Sequence, residues 1–208
     1  MVDYARNFEQ YKEFLNRHVR YDLSMFKIPL NARMLDVGCG FGDRIRLLRS
    51  LGYERISGID IDEYSVKKAG ECEPDIVLGS ITDTGLGDAA FDAVLVENVF
   101  HHISDYGAAL REVHRILAPG GLLCFIEPCP TVARRLLDVV TFYTPVPQVF
   151  GGAWRMRHVV MSEEFATGLY PLWLRSQKAF RALIEHSFEV EWCRRNLWFT
   201  FCRARKRR

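Results

Sequence analysis

Residues 35–42 read Leu-Asp-Val-Gly-Cys-Gly-Phe-Gly, which places glycine at the alternate positions 38, 40 and 42. An apolar segment, residues 34–37, leads into these glycines, and a helix-forming segment, residues 43–51, follows them at once. Because glycine lacks a Cβ atom, it can adopt positive φ and lets a ligand approach the backbone closely. A turn of this kind between a strand and a helix directs backbone N–H groups and the helix dipole at a bound group. The stretch therefore predicts a ligand-binding turn.

A carboxylate ends the next apolar segment. Asp60 closes the strand predicted at residues 55–60 and lies 18 residues after Gly42. In dinucleotide-binding folds, an acidic residue at a gap of about 20 residues accepts hydrogen bonds from the ribose hydroxyls. We therefore predict that Asp60 binds a ribose. The alternative is that Asp60 caps the helix predicted at residues 63–69, a role for which Asp62 is an equally good candidate.

Short apolar segments alternate with helical segments along the chain. Strands are predicted at residues 34–37, 55–60, 75–78, 91–97 and 122–127, and helices at 43–51, 63–69 and 105–117. This alternation predicts an α/β, Rossmann-like doubly wound sheet that is mostly parallel and carries helices on both faces. A helix at 175–186 and strands at 188–193 and 197–202 follow. These two strands are too close for a parallel crossover, so one antiparallel strand is expected near the C-terminus.

Asp36 extends the glycine turn to the pattern D-x-G-x-G-x-G, and further matches follow it. They are Gly79-Ser80-Ile81-Thr82-Asp83, the segment 91–103 and Pro119-Gly120-Gly121. Over residues 34–127 this layout resembles the class I, Rossmann-like methyltransferases that use S-adenosylmethionine. Within that family it is similar to the small-molecule subgroup called type 11.

The resemblance implies S-adenosylmethionine as cofactor and S-adenosylhomocysteine as product. The residues that it assigns to the cofactor are Asp36, Gly38, Cys39, Gly40, Gly42, Asp60, Ile61, Ser80, Ile81 and Glu97. The subgroup usually carries an acidic residue after the glycine at position 79, where it holds the adenine amino group. This chain has the neutral Ser80 there, so Ile81 is the expected adenine contact, through its backbone and apolar surface.

Methyl transfer requires that the acceptor be oriented and, if it is a hydroxyl, deprotonated. The candidate catalytic residues are His101, His102 and Glu127. His101 falls where O-methyltransferases related to this fold carry a catalytic histidine. The alternative roles are packing for the two histidines and capping of the following helix for Glu127. No metal site is predicted, since the spacings of the six cysteines match no zinc pattern.

The predicted function is methyl transfer to a small apolar or aromatic acceptor, with oxygen as the methylated atom. Nitrogen and carbon methylation remain alternatives, because fold alone does not select the acceptor. A second alternative is a non-catalytic protein that binds adenosylmethionine or serves as a scaffold for a partner. A nicotinamide dehydrogenase is disfavoured, because Asp43 replaces the third glycine of its fingerprint.

The chain is expected to form a single domain, residues 1–208, with four parts. These are an N-terminal helical cap (1–30), the cofactor-binding core (33–127), a substrate lid (128–174) and a C-terminal helix with a strand pair (175–208). The cap is suggested by an apolar helical stripe at Phe8, Tyr11, Leu15 and Val19. The lid holds five of the eight prolines and an excess of aromatic residues. The alternative is an insert that merely packs on the sheet.

The composition and charge of the chain limit the classes of partner that it is expected to bind. Five of the last six residues are basic, and without them the overall charge of +2 becomes about −3, so no general nucleic-acid-binding surface is expected. The basic tail is expected to be a solvated terminus. The alternatives are contact of the tail with RNA, or contact with an anionic membrane through the tail or the lid. No apolar run is long enough to span a bilayer. Free cysteines and the lack of a secretion signal favour a cytoplasmic location. Oligomeric state cannot be read from the sequence.

Overall fold

Seven strands form one sheet in the part of the chain that the computed structural model describes, which is residues 23–207 without 74, 147, 148, 150 and 151. The strands are β1 (Met34–Val37), β2 (Ile56–Asp60), β3 (Ile76–Leu78), β4 (Phe91–Glu97), β5 (Leu117–Pro128), β6 (Phe188–Arg195) and β7 (Phe199–Lys206). The helix predicted at residues 8–19 lies outside the described residues.

The order of the strands across the sheet is β3-β2-β1-β4-β5-β7-β6. Strands β1 to β5 are parallel, and β7 runs antiparallel to both of its neighbours. The predicted fold class is therefore confirmed. The chain moves outward from β1 to β3 in one direction and from β4 onward in the other, so the order reverses between β1 and β4.

Six α-helices surround this sheet among the described residues. They are α1 (Asp43–Ser50), α2 (Glu63–Gly70), α3 (Tyr106–Ile116), α4 (Val132–Tyr143), α5 (Gly152–Ala166) and α6 (Leu169–Ser187), with short 3₁₀ helices at Leu23–Phe26 and Phe100–His102. One core cluster includes residues of α3 and α6, and a second includes residues of α1 together with Phe26. None of the described helices is long and apolar enough to cross a membrane.

Trp173 of α6 ties the C-terminal half of the chain to the ends of β4 and β5. Its ring stacks on Phe100 with a centroid distance of 6.5 Å, and its Nε1–H donates to the carbonyl oxygen of Pro128 at 2.8 Å. The side chain is 1% exposed, and burial of a large aromatic contributes on the order of 2–3 kcal/mol. This contact fixes the position of the 3₁₀ helix that carries His101.

The basic C-terminal residues are part of the fold, so the expectation of a solvated tip is wrong for most of them. Arg203 and Arg205 lie in β7 and form ion pairs with Glu191, each at 2.6 Å. Lys206 donates to the carbonyl oxygen of Leu117 at 2.7 Å. The segment adds a strand because β5 offers an open edge along which its backbone can pair.

Two cysteines that were expected to be free are bonded to each other. Cys193 and Cys202 are register partners on β6 and β7, and they form a disulfide. Cys39, Cys72, Cys124 and Cys129 are free thiols. The pairing depends on the register between the two strands, because only directly opposite residues bring their sulfur atoms into bonding distance.

Candidate active site

The glycine turn lies at the carboxyl ends of β1 and β4, where the strand order reverses. Ligands of open α/β sheets bind at such a point. Gly38, Gly40 and Gly42 have φ values of 69°, 52° and 76°, which side chains with a Cβ rarely adopt. A Cβ at Gly38 would also overlap the Cγ2 atom of Val99. The turn therefore needs glycine for its conformation and for its close approach to the segment after β4.

Asp60 holds this turn from the end of β2. One carboxylate oxygen accepts from the backbone N–H of Gly40 at 2.7 Å, and the other accepts from the N–H of Asp62 at 2.9 Å. The N-cap of α2 is Asp62, whose side chain accepts from the N–H of Ser65 at 2.9 Å. Asp60 is therefore not the helix cap, and its carboxylate lies beside the glycine turn.

A cation lies between two carboxylates at the same edge of the sheet. Arg44, in the first turn of α1, places Nη1 3.3 Å from Oδ1 of Asp36 and 3.1 Å from Oε2 of Glu97. Asp36 is fully buried, and a buried carboxylate is stable in its charged form only with such a partner. The three side chains join β1, α1 and β4. Arg44 was not identified from the sequence, because the helical pattern does not show which residue of α1 turns toward the strand ends.

The remaining predicted cofactor residues differ in what they present to a ligand. The side chain of Cys39 is buried, and a Cβ on Gly58 would come within 2.7 Å of its sulfur, so Cys39 offers a ligand its backbone rather than its thiol. Ile61 is 75% exposed and adjoins Asp60. The hydroxyl of Ser80 forms a hydrogen bond with that of Thr82 at 2.9 Å. Ile81 is buried in the core, which leaves its backbone as the accessible part.

Glu127 organises the segment after β4 from the end of β5. It is fully buried, and its Oε1 accepts from the N–H groups of Val99 and Phe100 at 2.7 Å each. Its Oε2 lies 2.7 Å from Nδ1 of His101. The cap of the following helix, α4, is Thr131. Glu127 therefore caps the 3₁₀ helix of the two histidines rather than the helix that follows it.

Burial controls the proton balance of the His101–Glu127 pair. It lowers the pKa of His101 to about 4. Burial also raises the pKa of Glu127 to about 7, although the hydrogen bonds from the backbone N–H groups act to lower it. Above pH 7 the carboxylate is ionised, and Nδ1 of the neutral ring carries the hydrogen that it donates to Oε2. We assign this tautomer from the hydrogen bond. It leaves a lone pair on Nε2.

A second carboxylate faces the other side of this ring. Oε2 of Glu164, on α5, is 3.7 Å from Nε2 of His101, and its Oε1 is 3.8 Å from Nε2 of His102. Burial raises the pKa of Glu164. His102 is about half exposed and lies against His101, with the ring centroids 4.0 Å apart. Glu164 was missed because no local pattern predicts which residue of the insert meets the end of β4.

Comparison with known proteins identifies the family. Residues 35–125 match a protein family described as "Methyltransferase domain", and the match covers the glycine turn, Asp60 and the two histidines. Residues 35–125 therefore form a methyltransferase domain of this family.

Relatives and solved structures agree with this family. The chain is 30% identical over 153 residues to demethylmenaquinone methyltransferase of Staphylococcus epidermidis, which covers 70% of the chain and 62% of that protein. It is 26% identical over 135 residues to cycloartenol-C-24-methyltransferase 1 of Oryza sativa, which covers 60% and 39%. A TehB-like methyltransferase structure from Corynebacterium glutamicum has a TM-score of 0.64 at 17% identity, with 100% of both chains covered, and shows the shared fold. The chain thus spans about 40–60% of the length of these two relatives.

The residues at the strand ends fit the cofactor of this family, S-adenosylmethionine. A ribose diol suits the carboxylate of Asp60, which would make charge-assisted hydrogen bonds. The guanidinium of Arg44 suits a carboxylate, and the acidic side chain of Glu97 and its backbone carbonyl suit an ammonium group. The glycine turn leaves the backbone open to close approach. The donor and acceptor set therefore matches the polar groups of the cofactor.

The methyltransferase core carries its insert, α4 and α5, over the end of β5. Buried polar contacts hold the insert together, because Arg157 bonds to Asp138 at 2.5 Å and Tyr170 donates to the same carboxylate at 3.3 Å. Aromatic rings of Phe142 and Phe165 pack at a centroid distance of 4.2 Å. The opposite side of α4 exposes an apolar stripe at i, i+4, i+7 and i+11, which is formed by Val132, Leu136, Val139 and Tyr143, between 48% and 78% exposed.

Proposed function

We propose that this protein is an S-adenosylmethionine-dependent methyltransferase that methylates an oxygen atom of a small apolar or aromatic acceptor. The observation that carries the proposal is the His101–Glu127 pair at the ends of β4 and β5, next to the point where the strand order reverses. When bound, the cofactor supplies a methyl group already activated on a sulfonium centre. The protein then has to orient the acceptor and receive its proton.

The strand ends hold the cofactor in this proposal. Asp60 binds the ribose hydroxyls, Arg44 binds the carboxylate, and Glu97 binds the ammonium group. The glycine turn contributes backbone N–H groups. Fixing two reactants in one orientation contributes about 7–11 kcal/mol to the lowering of the barrier. These residues therefore account for the larger share of the catalysis, since the methyl group needs no further activation.

His101 acts as the general base. Its Nε2 carries a lone pair when Nδ1–H is bonded to Glu127, and it faces Glu164 of the insert at 3.7 Å. A positioned base adds about 10²–10⁴-fold to the rate. Glu127 is a positioning residue, because both of its oxygens are engaged by three hydrogen bonds of 2.7 Å. His102 is the other candidate base, and its ring is more accessible than that of His101.

The acceptor class is inferred from the insert. The apolar stripe of α4 gives the outer side of the insert an affinity for apolar surfaces, such as a lipid surface that delivers an acceptor. Relatives are named for different acceptors and atoms: cycloartenol at C-24, demethylmenaquinone, and malonyl-acyl carrier protein at oxygen, the last 28% identical over 142 residues. The assignment to oxygen therefore rests on the proton acceptor His101 and not on these names.

Transfer of a labelled methyl group tests the proposal. Purified protein and S-adenosylmethionine with a tritiated methyl group are incubated with an extract of cells, separated into lipid, small polar and macromolecular fractions. We expect label in the lipid or apolar small-molecule fraction with the wild type. Label should be strongly reduced with Asp60→Ala when the cofactor concentration is kept near the wild-type Kd, because this variant is expected to bind the cofactor weakly.

Two other outcomes would contradict the proposal. Label that appears in protein or nucleic acid would show that the acceptor is a macromolecule and not a small apolar molecule. No label in any fraction, with normal binding of S-adenosylhomocysteine by calorimetry, would favour the non-catalytic alternative. If the methylated product is found, mass spectrometric fragmentation shows whether oxygen, nitrogen or carbon received the methyl group.

A further inference from the structure

Two imidazole nitrogens and a carboxylate converge where the 3₁₀ helix after β4 meets α5. The ligand atoms of His101, His102 and Glu164 all lie within 4.8 Å of one another. The two histidines are adjacent in the chain, whereas Glu164 comes from the insert. A histidine pair with one carboxylate is a donor set that suits divalent first-row transition metals.

The tautomer of His101 suits a metal ligand. Its Nδ1 is 2.7 Å from Oε2 of the fully buried Glu127. Metal-binding histidines almost always donate their second ring N–H to a carboxylate or carbonyl, which fixes the ring and raises its basicity. The lone pair of Nε2 is thereby directed toward Glu164. This hydrogen bond is independent of the convergence of the three side chains.

Glu164 lacks the hydrogen bonds that a buried carboxylate needs. Its Oε2 atom is buried and accepts no hydrogen bond from the described residues. The side chain is 11% exposed. A buried carboxylate oxygen without a partner is costly, and such atoms ordinarily have a donor or a cation beside them. A cation between Oε2 and the two rings would satisfy it.

The distances are close to those of a coordination sphere. Zinc binds imidazole nitrogen and carboxylate oxygen at about 2.0–2.2 Å, so two ligands of one ion are about 3.4 Å apart in a tetrahedron. Nε2 of His101 is 3.7 Å from Oε2 of Glu164, and Nε2 of His102 is 3.8 Å from Oε1. With one ligand atom from each residue, all three atoms lie within 4.8 Å of one another, and the half-exposed His102 ring can turn to bring its nitrogen closer.

We propose that His101, His102 and Glu164 bind one divalent transition-metal ion of the zinc type, with a further coordination position open to a ligand. The ion joins the 3₁₀ helix after β4 to α5 and so fixes the insert on the core. Magnesium and calcium are disfavoured, because these ions prefer oxygen ligands. This metal site is a property separate from methyl transfer. Its metal binding can be measured without an acceptor or a cofactor.

Direct titration tests the site. Protein stripped with a chelator is titrated with Co²⁺, whose visible absorption reports nitrogen and oxygen ligands, and with Zn²⁺ by calorimetry. All samples carry Cys72→Ser, which removes the exposed free thiol. We expect one ion per chain. His102→Ala and Glu164→Gln should each weaken the Kd at least tenfold, because each removes a ligand, and Zn²⁺ should raise the Tm of the parent protein but not of Glu164→Gln.

The matched control carries His186→Ala and Glu185→Gln, a histidine and a glutamate that are both exposed on α6. Its Kd should stay within twofold of the parent protein. Absence of stoichiometric binding overturns the site, and so does an equal Kd in all variants. Binding of S-adenosylhomocysteine by the same samples is measured in parallel. If it persists where metal binding fails, the metal site is wrong and the proposed methyl transfer is untouched.

Discussion

Replacement of Glu127 by glutamine separates the role of this residue in positioning His101 from its role in folding. The carboxylate accepts three hydrogen bonds of 2.7 Å. An amide oxygen can still accept from the N–H groups of Val99 and Phe100. The amide NH₂, however, can only donate to Nδ1 of His101. The ring must then carry its hydrogen on Nε2, and the lone pair that faces the acceptor is lost.

The effect on stability should be small and the effect on turnover large. A hydrogen bond to a charged group contributes about 1.5–3 kcal/mol and one to a neutral group about 0.5–1.5 kcal/mol, so three bonds lose roughly 3–4.5 kcal/mol together. Relief of the desolvation of a fully buried charge offsets most of this loss. We expect the free energy of unfolding to change by less than about 2 kcal/mol. A wrong tautomer at a histidine base costs about 10⁴-fold in kcat in a comparable carboxylate–histidine pair.

The tautomer can be measured without a known acceptor. Two-bond ¹H–¹⁵N correlation spectra of metal-free protein at pH 8, above the pKa of about 7 for Glu127, distinguish Nδ1–H from Nε2–H. We expect Nδ1–H in the wild type and Nε2–H in Glu127→Gln. Glu164→Gln is the control and should keep Nδ1–H, because Glu164 contacts only Nε2. An unchanged tautomer in Glu127→Gln would refute the assignment of His101 as a base oriented by Glu127.

Three further changes test the site. Asp60→Ala should weaken binding of S-adenosylhomocysteine about tenfold to a hundredfold by calorimetry, since it removes charged hydrogen bonds. Asp62→Ala, which removes only the cap of α2, should lower the Tm and leave that Kd unchanged; equal effects of the two would contradict ribose binding. Gly38→Ala should lower stability by more than about 2 kcal/mol in urea unfolding, because its Cβ overlaps Val99, whereas Gly85→Ala, also at positive φ but in open space, should cost only about 1 kcal/mol. Glu127→Gln removes the raised pKa of Glu127 and leaves the lowered pKa of the buried His101, about 4. Unfolding monitored between pH 8 and pH 4 should therefore show stability falling as pH drops through 6.5 toward 4, by up to about 3 kcal/mol. In the wild type the raised pKa of Glu127 opposes this change, and an equal pH dependence in both proteins would contradict the pairing.

Features with a local cause could be predicted from the sequence. The glycine turn requires positive φ at positions that only glycine fills well, and the alternation of strands and helices fixes a parallel sheet. Strand ends were less predictable. Strand β5 begins at Leu117 rather than at residue 122, because Phe91 of β4 pairs with Leu117 across a bulge. Such pairing depends on the neighbouring strand and leaves no signal in the apolar pattern.

Features that depend on the register between distant segments could not be predicted. The Cys193–Cys202 bond depends on the alignment of β6 and β7. Arg44 and Glu164 each face the site because of a helix rotation that is set by tertiary packing. The sequence shows that both helices are present but does not show which side chain turns inward. The same limitation explains why Glu127 was considered as a cap for the following helix, although its carboxylate binds the segment before it.

The arrangement around His101 allows two uses of one lone pair, and they exclude each other. With Nδ1–H bonded to Glu127, Nε2 can accept the proton of an acceptor or bind a metal ion, but not both at once. Glu164 decides between them, since it lies within 4 Å of Nε2. If α5 holds Glu164 in place, His101, His102 and Glu164 would hold the proposed ion, which would supply a Lewis acid for an acceptor hydroxyl. If an acceptor displaces Glu164, the ring itself receives the proton. Asp138 of α4 and Arg157 of α5 join the two helices of the insert, so in this proposal the chemistry of His101 depends on how firmly the insert holds Glu164.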